Sequence, residues 1–81
     1  MKVGVYDSYF QPASIPVSAG TRVVWTNYGK HTHTVTSDDF LWDSDELRSG
    51  GTYGYTFSQP GTYPYHCAVH PQKMRAVIVV K

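Results

Sequence analysis

Residues 52–80 read TYGYTFSQPGTYPYHCAVHPQKMRAVIVV. Two runs in this stretch alternate strictly. Tyr53, Tyr55 and Phe57 fall at every second position of the first, and Tyr63, Tyr65 and Cys67 at every second position of another. Side chains of a strand point to opposite faces in turn, so each set shares one face of a sheet. Between the runs, Pro60-Gly61 suits the two central positions of a type II turn. Pro64 has no N–H to give to a ladder, which directs its strand toward a sheet edge or a bulge. The run RAVIVV has the unbroken apolar centre of a buried strand.

The same signals extend toward the N-terminus. KVGVY puts Val3 and Val5 on one face, and SIPVSAGTRVVWTN reads as a short strand, a turn at Ala19-Gly20 and a longer strand. HTHTVTS, residues 31–37, alternates again. Nowhere do apolar residues recur at i, i+3, i+4 and i+7 over three turns, so helix is a minor element. The exception to the strand pattern is SDDFLWDSDELRSGG, residues 37–51, which is acidic and turn-rich and reads as a loop with one helical turn near Ser44–Leu47. About seven short strands with Gly and Pro between them predict an all-β sandwich or barrel in a single domain, residues 1–81.

Composition removes several function classes. The formal net charge is +1 and charged residues make up 16% of the chain, which gives no electrostatic basis for nucleic acid or an anionic membrane as a partner. No run of 18 apolar residues is present, hence no transmembrane helix is expected. A basic segment followed by an apolar one is also missing, so an export signal, if used, lies outside these residues. The single cysteine forms no internal disulfide. A domain of this size has a thin core margin, and a bound metal would add to its stability by mass action.

Three readings of Cys67 compete. A free cysteine is commonly a small buried hydrophobe. A nucleophile paired with His70 needs a substrate cleft and an oxyanion site, for which the chain is short. A metal ligand accounts for the neighbours as well. A strand ending at Cys67 and a loop turning back at Pro71 can aim Cys67 and His70 at one point, with Met74 opening the next strand. A thiolate, imidazoles and a thioether together select copper over magnesium or calcium. The second imidazole is His31 or His33, which strand parity cannot separate. His66 is adjacent to Cys67 and faces the other way, as an exposed strand residue. Two histidines, one cysteine and a weak axial methionine form the trigonal arrangement of electron-transfer copper sites.

The ordered pieces VVWTN, HTVTSDD, WDS, TYGYTF, PGTYPYHC and CAVHPQKM running into VIVV resemble the cupredoxins of the plastocyanin and amicyanin kind, and they cover nearly the whole chain. The resemblance implies a Greek-key β-sandwich with copper near one end. It also implies a one-electron carrier, not an enzyme, with one Cu(I)/Cu(II) ion per chain. Carried over by position, it makes His33 the upstream ligand, because His33 directly precedes TVTS, and it makes Cys67, His70 and Met74 the others. His31 is then a solvated or supporting residue, and Asn27 lies near the site without ligating. The loop between His70 and Met74 holds three residues, where two or four are familiar, and Arg75-Ala76 replaces the usual small pair.

Further expectations follow. Redox proteins dock transiently near His70, with Ala68 and Val69 as the apolar face, and the acidic 37–51 stretch is a candidate patch for a basic partner. The protein is expected to be a monomer in a periplasmic or other extracytoplasmic compartment. The alternative in another class is a copper carrier or store with no electron-transfer role.

Overall fold

The computed structural model describes residues 1–69 and 74–81. Among them are eight strands and no helix: β1 (Lys2–Val5), β2 (Phe10–Gln11), β3 (Ser14–Val17), β4 (Thr21–Asn27), β5 (Thr36–Ser37), β6 (Thr52–Phe57), β7 (Gly61–His66) and β8 (Arg75–Val80). They form two four-stranded sheets, β2-β1-β4-β6 and β3-β8-β7-β5. Each sheet is mixed, because β1 runs parallel to β4 and β3 parallel to β8. The result is the expected Greek-key β-sandwich.

Both strands flanking a turn usually cross from one sheet to the other. The turn between β3 and β4 is closed by the Thr21 N–H, which donates to the Ser18 carbonyl at 3.1 Å. Gly20 takes φ 92° there, a left-handed conformation that a side chain would resist. The Pro60-Gly61 turn differs from the expected one. Gly61 sits at φ 155°, well away from the roughly +80° of a type II turn. It already belongs to β7, where it pairs with Val80.

The alternation read from the sequence becomes the core. Trp25 on β4 packs on Trp42, Tyr53, Phe57 and Tyr65, with ring centroids 5.5–6.4 Å apart. Such pairs contribute roughly 0.5–1.5 kcal/mol each beyond the area they bury. Phe10 meets Tyr65 edge-on from β2, which closes the cluster between the sheets. Tyr63 sits at the rim, and its hydroxyl donates to the Gln59 carbonyl at 2.7 Å, tying β7 to the turn before it. β8 buries Ile78 and Val80 and leaves Val77 and Val79 half-covered, a one-faced strand instead of a fully buried one.

Pro64 lies in a strand flanked on both sides, yet its position obeys the edge rule locally. Its carbonyl accepts from the Asp38 N–H at 3.0 Å, so the absent N–H faces the β5 side. There β5 has only two residues, pairing with Tyr65 and His66, and the ladder has no call for a donor from position 64.

Two expectations are corrected. Residues 31–37 do not form one strand, because only Thr36–Ser37 pairs within the sheet. Nor is there a helical turn at 44–47. The backbone groups that such a turn would use are engaged elsewhere: His33 and Leu47 exchange both of their N–H···O bonds, at 3.0 and 2.7 Å. The 37–51 loop therefore lies along 33–37 as an irregular extra strip, with bridges His33–Leu47 and Thr36–Asp43.

Candidate metal centre

The ends of four strands converge. β1 and β4 run in parallel, with Val5 beside Asn27, so the chain leaving each enters the same end of the sandwich. Cys67 follows the last residue of β7, and Met74 precedes the first of β8. The Cys67 N–H donates to the Met74 carbonyl at 3.0 Å, extending the β7–β8 ladder by one bond and fixing both residues on one side of the loop between them. Cys67, Met74 and His33 are all 0% exposed.

His33 and Cys67 come together across the two segments. The ring Nδ1 of His33 lies 3.6 Å from Cys67 Sγ, and the backbone N–H of Thr34 donates to the same sulfur at 3.4 Å. His31, on the same strand parity, is exposed, whereas His33 is buried beside Cys67. His70 lies outside the described residues.

A dense frame holds His33. Asn27, buried at the end of β4, donates through Nδ2 to the carbonyls of His31 (2.9 Å) and Leu47 (2.8 Å), and its Oδ1 accepts from the Gly29 N–H at 2.9 Å. One side chain thus pins both segments that border His33. Ser44 secures the next residues: its Oγ accepts from the Val35 N–H at 2.8 Å while its N–H donates to the Val35 carbonyl. The Ala68 N–H donates to Thr34 Oγ1 at 2.7 Å, which couples the turn after Cys67 to the segment carrying His33.

The outer nitrogen of the same ring, Nε2, lies 3.0 Å from Asp7 Oδ1. Asp7 also accepts from the backbone N–H groups of Lys30 and His31. The His33 hydrogen bond, followed by those from His31 and Lys30, pulls the Asp7 carboxyl down to about 2. It is therefore a carboxylate at neutral pH, able only to accept. Nothing in the sequence singles out Asp7, because it is a lone acid 26 residues from the histidine it meets.

His66 occupies the opposite face, as alternation requires, but it is not a free surface residue. Its Nδ1 lies 2.5 Å from Asp38 Oδ1, and Arg75 donates to the other oxygen of the same carboxylate. Asp38 is thereby drawn into the sheet surface, while Asp39, Asp43, Asp45 and Glu46 remain exposed.

Among the described residues no three His, Cys, Asp or Glu side chains gather into a metal-binding group. The described donors are an imidazole, a thiol and the buried residue Met74, whose thioether is outside that class. Their chemistry suits copper: soft sulfur donors and an imidazole nitrogen. The spacing suits it too. The imidazole nitrogen and the sulfur stand 3.6 Å apart, close enough for one ion to touch both.

Comparison with known proteins agrees. A family described as cupredoxin-like domain matches residues 1–80. Amicyanin-alpha of Methylorubrum extorquens is 35% identical over 77 residues, covering 86% of this chain and 63% of the relative. The chain thus spans less than two thirds of that relative's length. Plastocyanin of Solanum tuberosum is 31% identical over 74 residues, covering 75% of each. A purple cupredoxin from Nitrosopumilus maritimus superposes with a TM-score of 0.91, covering 99% of this chain and 98% of that one at 23% identity, a likeness of fold.

Proposed function

The chain belongs to the cupredoxin family, and on that premise we propose that it is a type 1 copper protein that carries single electrons between redox proteins. The observation that supports this most is the buried His33–Cys67 pair, held by strand ends and backbone bonds. His33, Cys67, His70 and Met74 would hold the ion, with His70 assigned by the C-A-V-H spacing and the family resemblance. Bound copper would supply the one-electron Cu(I)/Cu(II) couple.

The protein's part is to give the two oxidation states one set of donors. The His33 backbone is paired with Leu47 on both polar groups, Asn27 fastens the carbonyls of His31 and Leu47, and Asp7 meets the ring at Nε2. Cys67 cannot retreat, because its N–H is fixed to Met74 and its sulfur receives the Thr34 N–H. That N–H draws charge from the thiolate, and the burial of all three described ligands keeps water out; both effects set the potential. Cys67 would bind the ion as the thiolate, its proton released to solvent, and His33 would bind through Nδ1, the ring nitrogen that faces the sulfur.

Residues 1–81 would act as one domain and a monomer, in a periplasmic or other extracytoplasmic compartment. Partners would dock near His70, where the adjoining Val69 is 53% exposed and Ala68 is also open. A small apolar face of this kind suits a transient redox encounter. No helix of the described residues is long and apolar enough to cross a membrane.

Film voltammetry tests the electron-transfer role. A carrier gives a reversible one-electron wave that persists at fast scan rates, whereas a copper store gives a slow or irreversible response that overturns the role. Met74→Leu should keep the colour and raise the potential, because a weaker axial donor disfavours Cu(II). A potential equal to that of the unmodified protein would show that Met74 does not reach the metal.

A further inference from the structure

We propose that Asp7 is a positioning residue of the copper centre: it reserves Nδ1 of His33 for the metal and biases the site toward Cu(II). This rests on the copper reading above. A neutral imidazole has one N–H and one bare nitrogen, and the hydrogen bond made by one nitrogen decides which is which. Asp7 only accepts, so Nε2 of His33, 3.0 Å away, must carry the proton. In the neutral ring Nδ1 is then the bare nitrogen, and it is the one that faces Cys67 Sγ.

Asp7 is built into place. It lies just past β1, and the His33 loop folds over it so that the N–H groups of Lys30 (2.9 and 3.2 Å) and His31 (3.1 Å) both point at its carboxylate. The approach is so close that a Cβ on Gly29 would collide with Asp7 Oδ1. A side chain at position 29 would displace the carboxylate from the ring. The parallel pairing of β1 with β4 is what brings Asp7 to this loop, because it sets Val5 beside Asn27. An anion bonded to the far nitrogen makes the ring a stronger donor, and a stronger donor favours the more highly charged ion.

The test uses the whole chain with and without copper. In the metal-free protein, nitrogen-15 NMR should find His33 protonated on Nε2 and bare on Nδ1. Asp7→Asn keeps the shape and removes the charge. It should shift the Cu(II)/Cu(I) equilibrium about tenfold toward Cu(I), within the range that outer partners command; for one electron that is about 59 mV upward. Asp7→Ala removes the acceptor and should also raise the Nδ1–H population. His33 protonated on Nδ1 in the unmodified protein would overturn the proposal. So would variants that melt earlier yet keep the native tautomer and the native potential, since Asp7 would then only brace the loop. If the unmodified protein shows the Nε2–H tautomer but forms no coloured copper complex, the tautomer half stands and the copper reading fails.

Discussion

Cys67→Ser is expected to abolish the intense visible absorption of the copper-loaded protein, even where copper still binds. The colour of such a site comes from charge moving from a thiolate sulfur to Cu(II), and Cys67 is the only cysteine in the chain. A serine hydroxyl is smaller and harder, and it keeps its proton at neutral pH, so it neither donates that charge nor matches the sulfur's reach toward His33. The frame should survive, because the substitution keeps the Cys67 N–H bond to Met74 and leaves an oxygen to accept from Thr34. Absorption and electron paramagnetic resonance spectra after Cu(II) addition check this: the variant should be pale, with the wide hyperfine splitting of ordinary Cu(II). A variant as deeply coloured as the parent would remove Cys67 from the site.

The second large effect separates the two upstream histidines. His33→Ala should destroy the coloured site and weaken Cu(II) binding by more than the roughly 10–100-fold that outer partners cost. It should also lower stability by about 2 kcal/mol or more, since it empties a fully buried position. His31→Ala should leave the copper spectrum nearly unchanged. The structure uses His31 through its backbone, whose carbonyl accepts from Asn27 and whose N–H donates to Asp7, and alanine retains both. Copper titrations followed by absorbance, alongside thermal melts, read out both variants. Loss of the site in His31→Ala with retention in His33→Ala would reverse the ligand assignment.

Much of the fold was legible because it rests on local alternation. Tyr53, Tyr55 and Phe57, and Tyr65 with Cys67, show their shared faces in the sequence itself and share them in the core. The placement of Cys67 and Met74 was legible for the same reason, as the two residues that follow one strand and precede the next. What failed to show depends on contacts between distant segments. His33 is held by Leu47, which lies in an acidic stretch with no periodicity, so the sequence suggested a longer strand at 31–37 and a helical turn at 44–47. His66 looked like a free strand residue because Asp38, its partner, is 28 positions away. Asp7 gave no signal, since an aspartate after a short strand is an ordinary turn residue until β1 is laid beside β4. His31 and His33 share strand parity and were separated by resemblance to a family motif; in the fold His33 is buried and His31 exposed.

The measurement that bears most directly on the central claim is a titration of the unmodified, reduced-thiol protein with Cu(II), followed in the visible range. The account predicts that an intense band grows linearly and stops at one copper per chain, and that ascorbate bleaches it and mild oxidants restore it. A colourless Cu(II) complex, or a band that keeps growing beyond one equivalent, would contradict it.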